Sequence, residues 1–226
     1  MKWVLIIIIL GIILFLGSSF FLKPAGIKTA PQPKETSTEK ERPIKIILAG
    51  DIMLDRGVEY MIKKEGGKDF RFPFLKIADY LKEADIVFGN LEGIISDKGI
   101  KVGSIYSFLV DPKAIDGLDF AGFNVLSLAN NHALDYTREA LEDCLVKLND
   151  AGIGYIGAGF NEKEAYSPFI KEVRETKIAF LAYTNLGPET WKANENNSGI
   201  AWVSEKDFER IKEDIKLTKE KADILI

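Results

Sequence analysis

One cysteine and one histidine are all that the 226 residues provide. A lone cysteine excludes an internal disulfide framework and any cysteine-rich structural zinc site. The compartment stays open, because a protein without disulfides can live on either side of a membrane. A lone histidine excludes a metal centre built mainly from imidazoles. Nucleotide and nucleophile signatures are missing as well, since there is no P-loop and no G-x-S-x-G elbow. The single G-x-G-x-x-G match, Gly152 to Gly157, follows a helical pattern and precedes a strand pattern, the reverse of the dinucleotide order. Basic charge is also short. Of 30 basic and 34 acidic side chains, six and three fall in residues 1–43, so the remainder carries a net −7. That balance argues against nucleic acid or an anionic lipid surface as the main partner.

What is present divides into three regions. Residues 3–22 hold no charge and are interrupted only by Gly11, Gly17, Ser18 and Ser19. At about 1.5 Å per residue such a run spans about 30 Å, the thickness of a bilayer core. It exceeds the apolar stretch of a secretory signal, usually about 7–15 residues, so residues 1–22 are expected to be one uncleaved transmembrane helix. Lys2 lies before it and Lys23 and Lys28 after it, so the positive-inside count is undecided. The short N-terminal flank suits a signal-anchor with the bulk of the chain outside the cytoplasm, at the cell membrane. Residues 23–43 hold four of the eight prolines and three apolar residues, and are expected to be a disordered, extended tether. Residues 44–226 are the domain proper.

Within the domain, strand and helix patterns alternate. Strands are expected at Ile44–Ala49, Asp85–Phe88, Phe123–Ala129, Ile153–Ile156, Phe169–Val173, Lys177–Thr184 and Asp223–Ile226, with an edge strand at Tyr106–Val110. Helices are expected at Arg56–Lys64, Phe74–Glu83, Pro112–Ala121, Tyr136–Asp150 and Ser204–Lys221. The Tyr136–Asp150 helix is the plainest, with Leu141, Cys144, Leu145 and Leu148 on one stripe and Gly152 just past its end. Cys144 therefore reads as core, not nucleophile. The alternation points to an α/β domain with a largely parallel sheet.

Three apolar strands run directly into polar residues. The first leads into Asp51, the second into Asn90 and Glu92, and the third into Asn130, Asn131, His132 and Asp135. In an open parallel sheet the carboxyl ends share one edge, where ligands bind. These groups are therefore expected to converge. Oxygen donors plus one imidazole suit Mg²⁺ or Mn²⁺, or Zn²⁺ with mixed ligands. The plainer alternative is that Asp and Asn after strands cap turns and helix starts. Trp191 and Trp202 flank a polar loop and are candidates for a cleft rim.

The segments GDIMLDR (50–56), ADIVFGNLEG (84–93), AGFNVLSLANNHALDY (121–136), AGIGYIGAG (151–159) and KIAFLAYT (177–184) resemble the bacterial capsule synthesis protein CapA family. The resemblance covers roughly residues 44–226. It implies a metallophosphatase-like α/β sandwich and a part in forming poly-γ-glutamate capsule. Carried over by residue, it makes Asp51, Asn90, Glu92 and Asn131 the candidate metal ligands, with His132 and Asp135 the candidate catalytic pair. Two departures matter. The usual Asp-x-His reads Asp51-Ile52-Met53, and the bridging aspartate reads Asn90, so a two-metal clamp is not expected. The family's last strand runs into a His-Trp-Gly-type segment, and the domain is expected to be incomplete at its C-terminus.

Three functions follow as expectations. The first is a membrane-anchored, extracytoplasmic component of poly-γ-glutamate synthesis or export, partnered by the polymer or its synthase complex. The second is a metal-dependent phosphoesterase, a hydrolase in which His132 protonates the leaving group. The third is a non-catalytic assembly factor with a relic cleft. An acidic polymer meeting a domain of net −7 requires a local basic group or a bound cation.

Overall fold

A computed structural model of the protein describes residues 42–102 and 104–226. The expected membrane helix and most of the tether lie outside the described residues. Among the described residues no helix is long and apolar enough to cross a membrane.

The first half of the domain comprises β1 (Ile46–Ile52), α1 (Arg56–Lys64), α2 (Ala78–Lys82), β2 (Ile86–Leu91), β3 (Ile94–Ile95), β4 (Leu109–Val110), α3 (Ala114–Ala121), β5 (Val125–Ser127) and α4 (Thr137–Asp150). The second half comprises β6 (Gly154–Ile156), β7 (Ala158–Gly159), α5 (Glu162–Ala165), β8 (Phe169–Val173), β9 (Thr176–Phe180), β10 (Gly199–Ile200), α6 (Phe208–Lys219) and β11 (Ile224–Leu225). The main sheet has the order β1-β2-β5-β6 with every pairing parallel. A second sheet, β11-β9-β8, pairs β9 antiparallel to β8 and parallel to β11. The protein is thus a mixed α/β domain with a parallel sheet.

Alternation along the strands builds a core on each face of the main sheet. Val87 and Leu126 point to the helix side, where they join the α4 stripe. Their neighbours Ile86 and Val125 point to the other side, against Ile178 and Phe180 of the second sheet. This is the two-residue period of a strand buried on both faces. Phe88 and Phe180 stack across the sheets with ring centroids 5.7 Å apart. Leu141, Cys144, Leu145 and Leu148 of α4 are all fully buried, as their spacing predicts. Each such leucine contributes about 1.5–3 kcal/mol of burial free energy.

Several expected elements shift. β1 begins later and reaches Ile52, with an irregularity between Leu48 and Asp51, so Asp51 belongs to the strand itself. The helix expected at Phe74–Glu83 breaks into a 3-10 turn at Phe72–Phe74, with Pro73 in its first positions, and the short α2. Ala78 and Leu81 are buried as expected, whereas Leu75 is exposed because it lies at the junction. Only the last two residues of Tyr106–Val110 form a strand, and they pair with β3, outside the main sheet. Pro112 precedes α3 within a turn. Ser204 caps a 3-10 turn, Glu205–Asp207, that runs into α6.

Candidate functional site at the carboxyl ends of the parallel strands

The ends of β1, β2 and β5 are tied together by side-chain amides. Asn90 Nδ2 donates to Asp51 Oδ1 at 2.8 Å. Asn130 Nδ2 donates to Asn90 Oδ1 at 3.0 Å and to the Leu91 carbonyl at 2.9 Å. Asn130 Oδ1 accepts from the His132 backbone N–H at 2.9 Å. Each amide therefore has its orientation set by its neighbours.

His132 stands beside this run and is almost wholly buried. Its Nδ1 lies 2.8 Å from Asp135 Oδ2, an oxygen that also accepts the Phe108 backbone N–H at 2.9 Å. Asp135 is an acceptor in both contacts, so the imidazole proton sits on Nδ1. Nε2 faces Glu92 Oε1 at 3.5 Å. The Phe108 ring packs on the imidazole with centroids 4.2 Å apart. Burial, a hydrogen bond to Asp51 and the Asp51 charge hold the Glu92 carboxyl above the ordinary carboxylate value.

Beside His132 opens a cavity of about 520 Å³. One wall comprises Val102, Ser104, Tyr106, Ser107 and Phe108, and the other Gly187, Pro188 and Trp191. Asn131, His132 and Asp135 complete the lining. Both walls depend on glycine. Gly99 has φ +83°, and a Cβ there would stand 2.0 Å from the Tyr136 carbonyl oxygen. Gly187 has φ +80° and lies against the Trp191 ring. Only glycine takes such backbone at little cost. Val102 N–H donates to the Asp135 carbonyl at 3.0 Å, which fastens the first wall to the His132 turn.

Of the residues singled out from the sequence, Asp51 and Asn90 meet, as do Glu92, His132 and Asp135, and Glu92 also touches Asp51. Asn131 stands apart. It lines the cavity, whereas Asp51 borders a separate groove of about 330 Å³ with Ile52, Leu54 and Phe74. A resident divalent ion needs several donors converging on one point. Asn90 has its amide oxygen engaged by Asn130, and Asp51 and Asn131 open onto different spaces. Among the described residues no group of three or more His, Cys, Asp or Glu could hold an ion. As placed, the expected ligands do not fit a resident metal.

Two contributors, Asp55 and Phe108, were not marked as site residues by the sequence, and a third, Asn130, was marked only as one of the polar residues after the third strand. Asn130 is the hub of the amide run. Asp55 caps α1 and its Oδ2 accepts the Leu109 N–H at 3.1 Å, holding β4 near the site. Phe108 orients the imidazole from a distant loop. Asp55 had a readable signal, an Asp just before a helical pattern. Asn130 looked no different from Asn131, and nothing in the sequence placed Phe108 beside His132.

A carboxylate, an imidazole protonated on Nδ1 and an Nε2 that faces Glu92 form a unit able to accept or donate a proton at Nε2. The family profile described as bacterial capsule synthesis protein PGA_cap matches residues 45–226. A capsule biosynthesis protein CapA of Bacillus anthracis is 30% identical over 142 residues, covering 61% of this chain and 34% of the relative. A PGA biosynthesis protein CapA of Bacillus subtilis is 26% identical over 179 residues, covering 78% of this chain and 46% of the relative. The chain thus spans between about a third and a half of the length of these two relatives. The match over almost the whole described domain settles kinship: the chain belongs to the bacterial capsule synthesis protein PGA_cap family.

Proposed function

We propose that this chain takes part in bacterial capsule synthesis of the poly-γ-glutamate type, with the cleft around His132 as its working site. The observation that carries this reading is the family match across residues 45–226, which includes every residue of the cleft. The names of the Bacillus relatives, capsule biosynthesis and PGA biosynthesis, supply the polymer class. The two packed sheets support a metallophosphatase-like sandwich as the scaffold. The uncharged run at residues 3–22 supports a single-pass anchor at the cell membrane, with the domain outside the cytoplasm and beside the polymer or its synthase.

In this reading Asp135 fixes the tautomer and direction of His132, and Nε2 exchanges a proton with the polymer or a group carried on it. Phe108 and Asn130 keep the ring and its backbone in place. The experiment is deletion of the gene in its own host, followed by complementation with wild type, His132→Ala and Asp135→Asn, with surface polyglutamate as readout. Deletion should lower the polymer, and neither variant should restore it at equal protein level. Unchanged polymer after deletion overturns the reading.

The assembly-factor reading has one observation in its favour, the division of Asp51 and Asn131 between two spaces. Under it, deletion lowers the polymer and both variants restore it.

A further inference from the structure

We propose that the cavity beside His132 binds a neutral sugar ring. The Tyr106 and Trp191 side chains pack against its C–H faces, and Ser104 and Asn131 bond its hydroxyls. This goes beyond the capsule reading, which concerns an acidic polymer, and places a second, uncharged component at the same cleft.

Charge decides the ligand class. The lining contains no lysine or arginine, and Asp135 is its one carboxylate. The Asp135 Oδ2 is taken up by the His132 imidazole and the Phe108 N–H. An anion entering this space would shed its water without meeting a counter-ion, and burial of an unpaired charge is strongly unfavourable. The domain as a whole, at net −7, adds repulsion. A cation would find only one carboxylate, already engaged. A neutral ligand meets neither penalty.

What the lining offers is flat rings beside hydrogen-bonding groups. Tyr106 and Phe108 stand on one wall and Trp191 on the other. Phe108 is committed to the imidazole, with centroids 4.2 Å apart. Tyr106 is 57% exposed and Trp191 is half-buried, so both keep surface for a ligand. The electron-rich face of an aromatic ring attracts the slightly positive C–H groups along one side of a pyranose. Arg56, which is not part of the lining, stacks its guanidinium 5.6 Å from the Tyr106 centroid and helps to fix that ring.

The polar groups suit hydroxyls. Ser104 Oγ accepts the Tyr106 backbone N–H at 3.0 Å and keeps its own proton to donate. Ser107 Oγ donates to the Ser104 carbonyl at 3.0 Å and keeps its lone pairs. Among the described residues the exposed Asn131 side chain has no hydrogen-bond partner, so its amide can both donate and accept. A sugar hydroxyl also does both. At about 520 Å³ the cavity lies within the range of small-ligand sites, about 300–1,000 Å³.

The test is titration of the full-length chain, in a detergent without a sugar headgroup, with an N-acetylglucosamine trimer and a glucose trimer, read by calorimetry. A γ-linked glutamate oligomer and inorganic phosphate are the charged comparison probes. At least one neutral trimer should bind, and its affinity should stay within about twofold when salt is raised to about 0.5 M, since no ion pair forms. Trp191→Ala and Tyr106→Ala should each weaken it about tenfold, and Asn131→Ala about fivefold. Tyr106→Phe, which keeps the ring, should retain most of the affinity. Trp191 also packs against the core, so Tyr106→Ala, at an exposed position, is the variant that decides. Binding of neither trimer, tighter binding of the glutamate oligomer or of phosphate, or unchanged affinity in both Tyr106→Ala and Asn131→Ala overturns the proposal. Gene deletion tests the capsule reading separately, so either can fail while the other stands.

Discussion

Asp135 holds His132 and Phe108 with the same oxygen, Oδ2 lying 2.8 Å from the imidazole Nδ1 and 2.9 Å from the Phe108 nitrogen. One carboxylate thus fixes both the ring that can move a proton and the wall of the cavity next to it. Asp135→Asn keeps one oxygen that can accept from both partners but removes the negative charge that strengthens both hydrogen bonds. The variant should lose about 1–3 kcal/mol of stability, yet remain folded by circular dichroism. Its polymer output should match that of His132→Ala. Full output from Asp135→Asn with a wild-type melting curve would show that the pairing is dispensable.

Metal content gives a second prediction. Because Asp51 and Asn131 open onto different spaces and Asn90 is engaged by Asn130, the purified chain should carry no stoichiometric Mg, Mn or Zn by elemental analysis. Chelator treatment should leave its thermal transition in place. Stoichiometric metal that disappears in Glu92→Ala and His132→Ala would show that these side chains regroup around an ion.

The third prediction concerns acid stability. Asp85 pairs with both terminal nitrogens of Arg174, at 2.8 and 3.0 Å, and also accepts from Arg42 and from the Lys45 N–H. The Arg174 guanidinium chiefly holds its carboxyl down at about 2, against 3.8 ordinarily. A depressed carboxylate contributes stability that is complete above the unfolded value and is lost as pH falls toward the folded one. The loss should therefore fall between about pH 4 and pH 2 and amount to about 2 kcal/mol. Asp85→Asn should remove this part of the pH dependence, measured by denaturant melts. An unchanged acid limb in that variant would count against the pairing.

The fourth concerns the single thiol. Cys144 is fully buried on α4, and burial pushes its thiol up to about 12. A thiol reagent at neutral pH should leave it unmodified in the native protein and label it only on unfolding. Labelling at the rate of a free thiol under native conditions would contradict the packing of α4 against the main sheet.

Much of this was legible in residue order. The α4 stripe was readable because a 3.6-residue period leaves Leu141, Cys144, Leu145 and Leu148 on one face whatever that face meets. The convergence of Asp51, Asn90 and Glu92 with the Asn130–Asp135 segment followed from parallel strands sharing one edge. The division of the polar residues between two spaces did not follow, because periodicity says which residues line an edge and not where loops from elsewhere arrive. Phe108 reaches His132 through contacts at Gly99 and Val102, which have no local pattern, and at Asp55, whose pattern marks a helix start and not its distant partner Leu109. The 3-10 turn at Phe72–Phe74 was missed because Leu75, Ala78 and Leu81 keep helical spacing across the break that follows Pro73.

The position of β1 has a consequence for how the site comes apart. Among the described residues it is the border strand of the main sheet, bonded to β2 alone, whereas β2 is bonded on both sides. Asp51 therefore rides on a strand that can peel away while Asn90, Glu92 and His132 keep their framework. Backbone amides of β1 should exchange with solvent sooner than those of β2, and the polar cluster should loosen first at its Asp51 end.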